Sequence, residues 1–469
     1  MARCGWRAIG VCAASLFLAA CQQQEAPAEL PRGPSVLLVT VDTLRADHLG
    51  AYGHPEPVSP QVDALAARGV VYERAIAASS RTAPSHASIL TSRWVRDHSI
   101  AYYNGYSRLG DEPTLAAAFR ANGYATAAFV SNGVLSQRMG LTRGFDLYDD
   151  ELPEQERNRA EFERTAQRTT ERALAWLADA RVPWFVWVHY NDPHGPYMPP
   201  PPYDQGAFFS GVARGSAVDV PERRMAVIDD PSGAGGLPAY QKLGDLVLPR
   251  DYRRRYAAEI RHLDDWLGRL VASAEPGAGA AGLVLVLTAD HGESQGEGGV
   301  FFSHGTGTMP DVVHVPLIVK APGLAPGRSR DLVHHVDVLP TILDLAGLPA
   351  RPDAAGTALA RHWRAGTPVP ERVLFADVGR EVSGYRGDHI ERSHIEQDGS
   401  VTRSAFRWRA DGGWAPAAVQ GDLRAQVESY AAREPSTLEA PAPSAAEIER
   451  LRALGYVAPE SDAPADTAR

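Results

Sequence analysis

Two apolar runs end in groups able to bind a cation. Ser35 to Val41 (SVLLVTV) leads directly into Asp42, and Gly282 to Thr288 (GLVLVLT) leads through Ala289 into Asp290-His291-Gly292-Glu293. Short β-branched runs of this kind read as fully buried strands. In an open α/β sheet, functional groups collect just beyond the carboxyl ends of parallel strands. Two carboxylates and an imidazole arriving at one sheet edge make a site for a hard or borderline divalent ion. A third segment, Thr82-Ala83-Pro84-Ser85-His86, places a hydroxyl and a proline where a helix starts. Thr82 there is an N-cap on the plain reading. It is also a hydroxyl at an anion-attracting helix end, and beside a cation it becomes acidic enough to attack phosphorus or sulfur.

The elements that must position these groups alternate between strand and helix. Further strands are expected over Thr126 to Val130, Trp184 to His189 and Val315 to Lys320. Helices are expected over Thr114 to Asn122, Arg157 to Asp179 and Tyr252 to Ala274. The pattern implies an α/β fold, a central and largely parallel sheet flanked by helices. Gly211 to Pro249 is rich in Gly, Pro and Asp and reads as a long insertion or lid. From about Val373 the pattern changes to short alternating segments, which predicts a smaller C-terminal α+β subdomain over residues 373–457. That stretch includes a helical close at Glu447 to Gly455. Residues 458–469 read as a disordered tail.

The 469 residues are 44% hydrophobic and 22% charged, an ordinary globular composition. A net charge of -10 with no offsetting basic block argues against a nucleic-acid partner. Only Lys242 and Lys320 are lysines; every other basic residue besides histidine is arginine.

Several motifs together resemble the sulfatase branch of the alkaline phosphatase superfamily. VTVDTLRADHLGAYG, TAPSHASILTS, HYNDPHGPYMPP, TADHGE, HVPLIVKAPG and HVDVLPTILDLAG occur in that family's order, closing with LRALGYV. The resemblance runs from Ser35 to Val457 and implies a catalytic domain over residues 35–372. It implies one divalent ion (Ca, Mg, Mn or Zn) on Asp42, Asp290 and His291. Thr82 falls on the nucleophile position of the family's Cys/Ser-x-Pro-x-Arg signature, and His194 and His304 face the transferring group or leaving oxygen. His86 and Asn132 fall on substrate-binding positions.

The departures from that pattern carry chemistry. Sulfatases convert the signature cysteine or serine to formylglycine, and threonine cannot yield that aldehyde. His86 replaces the signature arginine, and Asp42-Thr43 stands where many sulfatases carry two aspartates. Val130-Ser131-Asn132-Gly133 replaces a Gly-Lys-Trp-His motif, and no lysine lies between His291 and Ile318. These changes favour phosphodiesters or phosphonate esters as substrates. A sulfuric ester hydrolase is the alternative, and a non-catalytic lipoprotein that binds an anionic glycan is a third reading.

At the N-terminus, Arg3 and Arg7 precede the mostly apolar run Ala8 to Ala20, too short to span a bilayer. The run ends Leu18-Ala19-Ala20-Cys21, which resembles the lipobox of bacterial lipoproteins. Residues 1–20 then form a removed signal peptide, and Cys21 carries the lipid. The mature chain would keep that one cysteine, and residues 21–34 would tether it to the domain. The expected setting is the cell envelope, with a small or glycan-linked anionic ester as substrate.

Overall fold

The computed structural model describes residues 1–2, 33–100, 107–155, 162–204, 223–396, 398–409, 412–436 and 438. Cys21, the tether, the helical close at Glu447 to Gly455 and the tail lie outside the described residues. The fold described below belongs to the unit Pro31–Arg469.

An eight-stranded sheet forms the centre. Its strands are β1 (Ser35–Val41), β2 (Val70–Ile76), β3 (Ala125–Phe129), β4 (Leu147–Asp149), β5 (Trp184–Tyr190), β6 (Leu283–Ala289), β7 (His314–Lys320) and β8 (Gly327–His334). Their order across the sheet is β8-β2-β7-β6-β1-β5-β3-β4. Only β7 runs against its neighbours; every other pairing is parallel. β1, β5 and β6 are buried along their whole length, as expected of parallel strands covered on both faces.

Two groups of helices supply the cover. α1 (Pro60–Ala66), α4 (Ala166–Asp179) and α5 (Pro249–Gly277) pack together, while α2 (Thr82–Thr91) packs with α3 (Leu115–Ala121) and α6 (Val338–Leu345). α4 begins later than the expected Arg157. Thr165 caps it by accepting the Arg168 amide at 3.5 Å, and Phe162–Glu163 upstream pairs as a short strand instead. Within the expected lid, residues 223–249 hold a short strand pair, Val227–Ile228 with Leu237–Pro238, and one turn of 3-10 helix.

The C-terminal part is an antiparallel meander of β9 (Leu374–Asp377), β10 (Glu381–Arg386), β11 (His389–Ile395), β12 (Val401–Trp408) and β13 (Trp414–Pro416). α7 (Gly421–Ala431) packs on β10 and β11. Sheet and meander are joined near the site. The Asp377 amide donates to Ala78 O at 2.9 Å, and buried Arg96 Nε pairs with Asp377 Oδ2 at 2.7 Å. The expected α/β fold with a smaller C-terminal α+β part is the one observed. No helix among the described residues is long and apolar enough to cross a membrane.

Candidate metal and nucleophile site

Register builds the site. β1 and β6 pair in parallel with Val41 opposite Ala289, so Asp42 and Asp290 leave the sheet side by side. β1 pairs with β5 with Thr40 opposite His189 and Val41 opposite Tyr190, which brings the Asn191-Asp192-Pro193-His194 loop to the same edge. Thr43 follows Asp42 at φ 55°, an uncommon backbone for a β-branched residue. That bend lets its amide donate to Asp290 Oδ1 at 3.2 Å, while its carbonyl accepts from the Tyr256 hydroxyl at 2.6 Å.

Asp42, Asp290 and His291 are all fully buried, and one ligand atom from each lies within 4.8 Å of the others. His291 Nε2 is 3.8 Å from Asp42 Oδ1 and 3.6 Å from Asp290 Oδ2. Both of those oxygens are buried with no hydrogen-bond partner among the described residues. Two orphaned carboxylate oxygens facing one imidazole nitrogen fit a divalent cation, because nothing else there balances their buried charge.

The protonation pattern supports that fit. Burial raises Asp42, but the nearby His189, and then the His194 and His291 rings, outweigh it and hold Asp42 well below the usual carboxylate range. Asp290 is pushed well above that range, by burial first and by Asp42 second. Two carboxylates this close resist a second negative charge unless a cation joins them. His291 is held down to about 3, chiefly by burial and then by His304, so it is a neutral imidazole of the kind that ligates metal.

Thr82 is the first residue of α2, but the cap is Arg81, and the Thr82 hydroxyl does not cap the helix. Its Oγ1 lies 3.3 Å from His291 Nε2. The Thr82 hydroxyl therefore meets the nitrogen that faces both carboxylate oxygens, and the residue is 1% exposed.

His304 and His194 close the outer side. The His304 ring stands 4.5 Å from that of His291 and 5.1 Å from that of His194, centre to centre. His304 Nδ1 is 2.9 Å from Glu293 Oε1, and the other oxygen of Glu293 accepts the Tyr197 hydroxyl at 2.8 Å. This fully buried Glu293 orients His304 and leaves Nε2 as the ring's other nitrogen.

Two of the expected substrate contacts are buried and hydrogen-bonded within the protein. His86 is fully buried, with Nδ1 2.8 Å from Thr82 O, Nε2 3.0 Å from Thr40 Oγ1, and its ring against Trp187. Asn132 Nδ2 donates to Asp42 Oδ2 at 3.1 Å and to Asn191 Oδ1 at 2.9 Å, and so braces a metal-ligand candidate. Sequence reasoning passed over His189 and Asn191, and gave Glu293, inside its strand-end motif, no role of its own. His189 is buried, its Nε2 3.7 Å from Asp42 Oδ2, and with His86 and Asp290 it forms a second set at ligand spacing. A third such set, Asp192 with Glu259 and His262, ties the loop after β5 to α5.

The family model for sulfatases matches residues 34–348. The chain belongs to the sulfatase family. Among curated relatives, human (Homo sapiens) iduronate 2-sulfatase is 26% identical, over 68% of this chain and 70% of that protein. Choline-sulfatase of Rhizobium meliloti is 25% identical, over 70% of each. Of solved structures, the phosphonate monoester hydrolase of Agrobacterium radiobacter superposes with a TM-score of 0.63 at 21% identity, covering 85% of this chain and 94% of that one. Membership makes the chain a sulfatase-family ester hydrolase, in a family that typically uses a divalent metal, with buried aspartates and histidines here that can hold one.

Proposed function

We propose that the protein hydrolyses phosphate diesters or phosphonate esters, with Thr82 as the nucleophile and Asp42, Asp290 and His291 as ligands of one divalent ion. The observation that carries this reading is the Thr82 hydroxyl lying against the orphaned Asp42–Asp290–His291 set. His291 Nε2 lies 3.3 to 3.8 Å from Thr82 Oγ1, Asp42 Oδ1 and Asp290 Oδ2, and one ligand atom from each residue of the metal set lies within 4.8 Å of the others. The mixed N/O donors suit a hard or borderline divalent ion. Such an ion supplies positive charge at the attacking oxygen and at the transferring group.

The chain's own residues do the rest. Thr82 Oγ1 gives up its proton to solvent and bonds to phosphorus, and the ester oxygen leaves as it takes a proton from a histidine, His304 or His194. Water then attacks the phosphorus of the threonine ester, giving a proton back to that ring, the bond from phosphorus to Thr82 Oγ1 breaks, and Oγ1 regains a proton from solvent. Glu293 keeps His304 aimed through both steps.

Threonine cannot form the formylglycine on which sulfate-ester release depends in this family. Lys320, the lysine nearest in sequence to the TADHGE motif, is committed to Glu275 at 2.9 Å. The second reading, a sulfuric ester hydrolase, is favoured by the names of the curated relatives. Matched aryl esters run with several metals decide between them. The expected result is a higher kcat/KM for a phosphorus ester. A higher value for aryl sulfate than for every phosphorus ester reverses the assignment.

The lipobox-like Leu18-Ala19-Ala20-Cys21 supports anchoring of the protein to the cell envelope.

A further inference from the structure

A cleft of about 980 Å³ adjoins the site; its walls include Arg81, Asp230, Gly305, Thr306, Arg380 and His394. Arg81 precedes Thr82 in the chain, and Gly305 follows His304. Arg81 Nε–H donates to Gly305 O at 2.9 Å, which pins one end of the cleft beside the chain neighbours Thr82 and His304. The opposite wall comes from the turn after β9 and from β11 of the meander. The volume sits at the upper end of the roughly 300 to 1,000 Å³ common for small-molecule sites. A substrate reacting at Thr82 has this concavity for the remainder of its structure.

Each acid of the cleft has one oxygen in a hydrogen bond. Asp230 Oδ1 accepts the Ser232 amide at 2.9 Å, Glu396 Oε1 the Thr402 hydroxyl at 2.7 Å, and Asp398 Oδ1 the Ser400 amide at 2.9 Å. His394 Nδ1 is 3.1 Å from Glu381 Oε2. Arg380 differs. Its carbonyl accepts the Ile395 amide at 2.7 Å, which fixes its place on the wall, yet its exposed guanidinium has no hydrogen-bond or ion-pair partner among the described residues. A fork of donors held at a cleft wall and left unpaired suits bidentate capture of a carboxylate or sulfate.

We propose that this cleft is a leaving-group subsite in which Arg380, with Arg81, binds a second anionic group on a sugar-sized leaving group. The term leaving group rests on the reading of Thr82 as nucleophile; the anion-binding role of Arg380 does not.

The test measures binding without turnover. Thr82→Ala protein is titrated calorimetrically with three ester-free or singly modified sugars: neutral lactose, an unsulfated uronate-containing disaccharide, and lactose carrying one sulfate. The expected result is that at least one acidic sugar binds roughly tenfold tighter than lactose, the scale of one charge-assisted hydrogen-bond pair. Arg380→Ala on the same background removes that preference, and Arg380→Glu makes lactose the better ligand. Which acidic sugar binds tells whether a carboxylate or a sulfate is the anion. Equal binding of all three, or a preference that survives Arg380→Ala, overturns the proposal. Ester turnover that persists in the Thr82→Ala protein refutes the nucleophile reading instead, and leaves the Arg380 result to be judged on its own.

Discussion

Thr82 Oγ1 stands 3.3 Å from His291 Nε2, the nitrogen that also faces two buried carboxylate oxygens with no hydrogen-bond partner among the described residues. Removing either carboxylate strips half of the negative charge that would attract a cation. Asp290→Ala is expected to lower metal affinity by more than the roughly 10- to 100-fold that loss of a mere outer partner costs. Asn132→Ala, which removes such an outer partner from Asp42, is expected within that range. Elemental analysis after equilibration at limiting metal checks both. Full occupancy in Asp290→Ala contradicts the ligand assignment.

Glu293 acts through His304. Glu293→Gln keeps the size of the side chain but removes the carboxylate that accepts from Nδ1. The expected outcome is a fall in kcat of about 10- to 100-fold, part of what a positioned general acid contributes, with metal content unchanged. Steady-state kinetics paired with elemental analysis reads this. Loss of metal along with activity would assign Glu293 to the metal shell instead.

Stability is expected to fall in acid through buried neutral histidines. Burial, the largest cause, holds His48, His98 and His335 down to about 3, against 6.5 for an ordinary imidazole. Between those values the unfolded chain binds protons that the folded chain refuses. Their contribution is therefore whole above pH 6.5 and is lost as pH falls toward 3. Each adds a slope of at most about 1.4 kcal/mol per pH unit. His98, whose Nε2 is 3.1 Å from Ser88 Oγ, belongs to none of the candidate ligand sets and isolates the effect. Denaturant unfolding of His98→Gln from pH 7.5 to 4.5 should show a slope smaller by about one proton. An unchanged slope contradicts it.

The apolar strands were legible because burial on both faces leaves an uninterrupted run, as in β1 and β6. β2 escaped notice because Glu73 and Arg74 interrupt VVYERAI, and the structure leaves both half-exposed, with Arg74 lying over Trp408. β8, GRSRDLVH, is an edge strand whose polar face hides it. Of the site, the strand-end motifs announced Asp42, Asp290 and His291, since chain-local patterns mark them. His189 sits inside a strand that reads as core. Its approach to Asp42 depends on the β1–β5 register, a pairing across nearly 150 residues that no local pattern encodes. Asn132 and His86 were placed by family position as substrate contacts. Their hydrogen bonds to Asp42 and Thr40 are properties of packing, visible only in three dimensions.

Cys21 is expected to carry the anchor. Cys21→Ser should shift the protein from the membrane pellet to the soluble fraction or leave the signal peptide uncleaved, as read by fractionation and intact mass. Wild-type protein that is already soluble and unacylated contradicts this.

The central claim is that Thr82 forms a covalent ester with the transferring group. Rapid acid quench during turnover of a phosphonate or phosphate diester, followed by peptide mass spectrometry, reads it directly. The account predicts a phosphorus adduct on the peptide holding Thr82, absent in Thr82→Ala, which should also lose turnover while keeping its fold, since its hydroxyl does not cap α2. Undiminished turnover in Thr82→Ala, or an adduct that maps to another residue, contradicts it.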